Sequence, residues 1–109
     1  MEDNKQLREV ADYYGMELQT EKLIEECAEL CVAAARISQS NTLCLCDTKR
    51  LDALYDNFFE EMADVLNVIE QLVYLCEAEE TVNRIQQEKI ERTLRKIHAE
   101  QIEREGEDG

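Results

Sequence analysis

The chain predicts an all-α fold. Proline is absent, glycine occurs three times in 109 residues, and Glu, Leu, Ala, Lys, Arg and Gln dominate, so turn formers and strand formers are both scarce. Apolar residues make up 44 % of the chain and recur at helical spacing, enough to build a core without Trp. A length of 109 residues fits a single domain, residues 1–109, so an active site must share its core. The expected architecture is a four-helix-type bundle with a short first helix, two central helices and a charged last helix, completed by association.

The first helix is expected from about Asn4 to Tyr14, with Gly15 as the left-handed residue that closes it. The second runs from about Thr20, a plausible N-cap, to about Ser38, with Ile24, Cys27, Ala28, Cys31 and Ala35 as its buried stripe. From Ser38 to Thr48, polar turn formers flank Leu43, Cys44, Leu45 and Cys46, which reads as an ordered connection. The third helix, from about Lys49 to Cys76, carries thirteen apolar positions from Leu51 to Leu75. At roughly 100° per residue they cover an arc of about 200°, wider than a monomer of this size readily covers. A homodimer, or a tetramer built from dimers, is therefore expected. The fourth helix, from about Glu79 to Glu103, places Val82, Ile85, Ile90, Leu94 and Ile97 among many charges, and a frayed tail is expected from about residue 104.

Composition narrows the function. A net charge of −14 argues against a nucleic-acid polymer as partner, because phosphate backbones are bound by clustered Lys and Arg. No apolar run approaches the roughly 20 residues that span a bilayer, so no membrane partner is expected. Five cysteines, an odd count, without a signal-peptide pattern suggest reduced thiols in the cytoplasm. A zinc site built from Cys44 and Cys46 with Cys27 or Cys31 is disfavoured, since no C-x-x-C spacing occurs. Cys27, Cys31 and Cys76 read as packing residues.

With 26 acids, most carboxylate pairs at i,i+3 are solvated surface, so position must single out any that carry chemistry. With Met62 as zero on a helical wheel, Glu61 falls at about 260°, between Leu54 and Leu72 near 280° and Val68 near 240°. Asp64 lies near 200°, at the margin of the apolar arc. Two ionised carboxylates beside buried surface cost several kcal/mol without a cation. Glu26 and Glu29 stand one turn apart on the second helix, flanked by Leu30, Ala33 and Ile37, and a second acidic ledge can face the first. Such hard oxygen ligands suit Mg²⁺, with Mn²⁺ as a substitute. A di-iron bundle needs Glu-x-x-His on two helices, and His98 is the one histidine present.

Glu25-Glu26-Cys27-Ala28-Glu29 followed by Glu61-Met62-Ala63-Asp64 resembles the EExxE…ExxD signature of MazG-like nucleotide pyrophosphohydrolases, in the all-α NTP pyrophosphohydrolase group. Lys22-Leu23-Ile24 before the first motif and Val65-Leu66 after the second are similar to that family's central helices in residue type, and the likeness covers roughly residues 20–97. The resemblance implies Glu26, Glu29, Glu61 and Asp64 as metal ligands, with Glu25 on the outer face of its motif. It implies conversion of a nucleoside triphosphate to the monophosphate and pyrophosphate by water attacking the α-phosphorus. A carboxylate beside that water, Glu25 or Glu26, is a candidate acceptor of its proton, and spacing alone assigns neither. The resemblance also implies that Lys89 and Arg92 of the last helix hold phosphates, although Gln87 stands where the family usually has Asn. Lys96 continues that strip one turn on. Asn67, a turn beyond Asp64, is a candidate contact to a base or a water. The interval between Glu29 and Glu61 is longer than the family pattern. The rival expectation is a non-enzymatic acidic helical module that docks a partner through the wide apolar arc.

Overall fold

The computed structural model describes residues 4–43 and 47–108, and within them places the side chains of 4–40 and 47–107. All regular structure among the described residues is helical, in three elements: α1 (Lys5–Leu43), α2 (Thr48–Leu75) and α3 (Glu79–Asp108). The all-α expectation holds, but the four-helix expectation does not. The chain forms two compact units, Met1–Glu77, which holds α1 and α2, and Ala78–Gly109, which holds α3.

The two helices expected before residue 40 form one kinked element, with the expected break at Gly15. Its φ of 81° and ψ of 172° are non-helical, and helix continues on both sides. Those angles lie in a region essentially reserved for glycine. Asn4 caps the start, its Oδ1 accepting from the Leu7 N–H at 3.0 Å. Thr20 is not an N-cap: its hydroxyl donates to the Met16 carbonyl at 2.7 Å, one turn back inside a helix that has already restarted. The helix also continues past Ser38 to Leu43, so the connection to α2 is shorter than expected. Cys44, Leu45 and Cys46 lie outside the described residues.

Asp47 caps α2 by accepting from the Arg50 N–H at 2.8 Å. At the other end the Cys76 N–H bonds the Leu72 carbonyl and the Glu77 N–H bonds the Tyr74 carbonyl, while Glu77 turns the chain at φ 52°. Both limits of α2 fall within one residue of those expected from the sequence.

α1 and α2 pack as an antiparallel hairpin, with Gln19 against Gln71 near one end and Glu29 against Glu61 farther along. The seam on α1 runs through Gln19, Leu23, Glu26, Leu30, Ala33 and Ile37, all buried or half-buried. Leu51, Leu54, Phe58, Glu61, Val65, Val68, Leu72 and Leu75 form the matching seam on α2, again buried or half-buried. Both sets advance in alternating steps of three and four residues, the repeat that keeps one face of a helix against its partner. The expected α1 stripe is one residue out of register with this seam. Ile24 is 70 % exposed, Ala28, Cys31 and Ala35 are exposed, and Cys27 is half-buried. A short segment before the kink joins the same unit, with Ala11 fully buried, the Tyr74 hydroxyl 3.0 Å from both Asp12 carboxylate oxygens, and Arg8 over the Tyr74 ring.

In its own unit, α3 is exposed along its placed length, including Val82, Ile85, Ile90, Leu94 and Ile97. Its backbone stays helical through Gly106 to Asp108, beyond the end expected near residue 104.

Replacing Gly15 by Ala should lower unfolding stability by about 1–3 kcal/mol, since the strain is in the backbone, and a Cβ there meets no atom within 4 Å. Urea titration followed by helical circular dichroism measures it. An unchanged midpoint would show that residue 15 does not need a positive φ.

Candidate metal centre

Two seam positions that packing alone would fill with apolar side chains hold Glu26 and Glu61. Glu26 is 6 % exposed, the most buried acid among the described residues, and Glu61 is half-buried. Glu29 stands one turn beyond Glu26 and adds a third carboxylate from the hairpin's edge. One carboxylate oxygen from each of Glu26, Glu29 and Glu61 lies within 4.8 Å of the others.

Neutralisation of this group is partial. The Lys22 ammonium lies 3.1 Å from Glu26 Oε1 and 3.6 Å from Glu25 Oε2. That contact and the two acidic charges raise the Lys22 pKa above 10.5. The second oxygens of Glu26 and Glu61 are buried without a hydrogen-bond partner among the described residues. Carboxylate oxygens stripped of water and left unpaired are costly. A divalent cation with oxygen ligands relieves that cost directly, and three hard oxygen donors without a thiolate or imidazole fit Mg²⁺ or Mn²⁺.

Asp64 is exposed and does not join the three-carboxylate group. It lines an adjoining cleft of about 510 Å³ together with Glu26, Glu25, Lys22 and Asn67. Four of the expected site residues, Glu25, Glu26, Asp64 and Asn67, thus share one cavity, while Glu29 and Glu61 meet Glu26 at the seam. Lys89, Arg92 and Lys96 are exposed on α3, in the second unit. Sequence reasoning missed Lys22, as well as Gln19 and Gln71, which are buried in the floor of the cleft at 6 % exposure each. The three-four repeat through Gln19, Leu23, Glu26, Leu30, Ala33 and Ile37 is the signal in the sequence that marks Gln19 as a seam position. Among the described residues Cys27, Cys31 and Cys76 are free thiols, and Cys76 Sγ lies 3.7 Å from Met16 Sδ.

Crowding has a pH consequence at Glu29. Its carboxyl is held above the ordinary 4.5, first by the Glu26 charge, then by desolvation and by the Glu61 charge. The folded chain therefore binds a proton there more tightly than the unfolded chain. The resulting stability is fully present below the ordinary value and is lost as pH rises through the raised one. In metal-free buffer, the melting temperature of the wild type relative to Glu29→Gln should fall as pH rises through that window. Parallel pH profiles for the two proteins would contradict the crowding.

No family model, curated protein or solved structure matches the chain.

Proposed function

We propose that the chain is a Mg²⁺-dependent nucleoside triphosphate pyrophosphohydrolase. The observation that carries this reading is the three-carboxylate group with two buried, unpartnered oxygens beside an open cleft. Glu26, Glu29 and Glu61 would hold the ion, and Asp64 would complete the set from the cleft wall. When bound, Mg²⁺ supplies positive charge that polarises phosphate oxygens and acidifies a water.

The chain's own groups do the rest. A water oxygen forms a bond to the α-phosphorus, the α–β anhydride bond breaks, and pyrophosphate leaves with the bridging oxygen. Glu25 and Glu26, both lining the cleft, are the two candidates to accept the water's proton. Lys22, paired with both, would supply positive charge to a phosphate at the cleft. Asn67 would contact the base or a water.

Association of copies belongs to the same reading. The residues one step after each seam, Ile24, Cys27 and Cys31 on α1 and Tyr55, Phe59, Met62, Leu66 and Ile69 on α2, form a second apolar stripe on each helix. In an antiparallel hairpin both stripes turn to the same side, opposite Glu29 and Asp64. Phe59 and Leu66 are each 56 % exposed. A second copy docked on this face gives the homodimer, or the dimer-based tetramer, that the wide arc of α2 requires. Light scattering should give a mass of at least two chains, and a stable monomer would refute the docking.

Mg²⁺ should drive pyrophosphate release from at least one nucleotide in a screen of NTPs and dNTPs. Glu61→Gln should reduce the rate by about 100-fold or more. Full activity in that variant would remove Glu61 from the ligand set. Silence with every nucleotide would return the chain to a non-enzymatic interaction module.

A further inference from the structure

The cleft beside the acids has a second end that the reaction does not use. There Gln19 and Gln71 face each other across the hairpin, each 6 % exposed, with the Gln19 Nε2 donating to the Gln71 Oε1. A single hydrogen bond between two carboxamides uses one of their four N–H donors and one of their carbonyl lone pairs, leaving the carbonyl of the donating amide and the amino group of the accepting one for another partner. If both amides are turned round, Gln71 donates to Gln19, and a carbonyl and an amino group again remain. The pair therefore always offers a donor beside an acceptor. That pattern suits the hydrogen-bonding edge of a nucleobase and is poorly matched to a phosphate, which only accepts. Val10, Leu18 and Val68 supply apolar wall, and Tyr14, half exposed, supplies an aromatic ring at the same cleft. A volume of about 510 Å³ is that of a small-molecule site.

Spacing links the two ends. Gln19 precedes Glu26 by two helical turns, and Gln71 follows Asp64 by two, so amides and acids are separated by about 10 Å along both helices. A ribose and its first phosphate fit between them. We infer that the Gln19–Gln71 pair is a base-recognition site that reads the nucleobase edge of the nucleotide whose phosphates meet the acids. The inference rests on the proposed hydrolysis for the orientation of the nucleotide, though not for the binding of the base.

The experiment uses nucleosides, which carry no phosphate, in metal-free buffer: cytidine, uridine, thymidine, adenosine and guanosine, with ribose as control. Calorimetry should detect at least one nucleoside, and Gln71→Met should weaken it tenfold or more. In the wild type, that nucleoside should shift the side-chain amide signals of Gln19 and Gln71 in nitrogen-edited NMR, a readout that needs no variant to fold. Nucleoside binding without pyrophosphate release from any triphosphate would keep the base site and remove the hydrolysis. Pyrophosphate release without nucleoside binding or amide shifts would overturn the base site and leave the hydrolysis standing. Ribose binding as tightly as the nucleosides would overturn it also.

Discussion

The hairpin depends on charge held where apolar packing would otherwise close it. Glu26 occupies a seam position between Leu23 and Leu30, and Glu61 occupies the corresponding place between Phe58 and Val65. Lys22 satisfies one oxygen of Glu26, and the second oxygens of Glu26 and Glu61 stay buried and unpaired. The buried apolar side chains among the described residues are few, Ala11, Ala33, Ile37, Val65 and Val68, so this core has little surplus to offset desolvated carboxylates. Acids at a helix–helix seam are stable when a cation joins them, and a cation held by both helices also fixes their register.

From this constraint follows a two-sided hairpin. One side of the hairpin carries Glu25, Glu29, Asp64 and the cleft, while the other carries the stripes of Ile24 and Cys31 and of Phe59 and Leu66. Separating the acids from the proposed association surface would let a second copy dock without covering them. The kink at Gly15 serves the same end, because it carries Ala11 into the core and brings Val10 and Tyr14 to the cleft.

Much of this was legible in the sequence, unevenly. The limits of α2, its apolar arc and the anomaly of Glu61 follow from a single helical wheel. On α1 the wheel misled, because two stripes one residue apart both repeat at three and four. The more apolar stripe, through Ile24, Cys27 and Cys31, faces outward, and the one interrupted by Gln19 and Glu26 packs inward. Hydrophobicity alone selects the wrong one, and only pairing with α2 decides it. Gly15 was recognisable as the positive-φ residue that interrupts the helix, and the structure breaks there. The weighting of the ligands also changed: Glu26, which rested on motif likeness, is the most buried acid among the described residues, and Asp64, which the wheel favoured, lines the cleft instead.

The most direct measurement is anomalous diffraction from crystals soaked in Mn²⁺, recorded to locate the ion. The expected result is a peak within about 2 Å of carboxylate oxygens of Glu26, Glu29 and Glu61, joining the two helices. A structure in which Mn²⁺ leaves these three carboxylates empty and binds elsewhere would contradict the account.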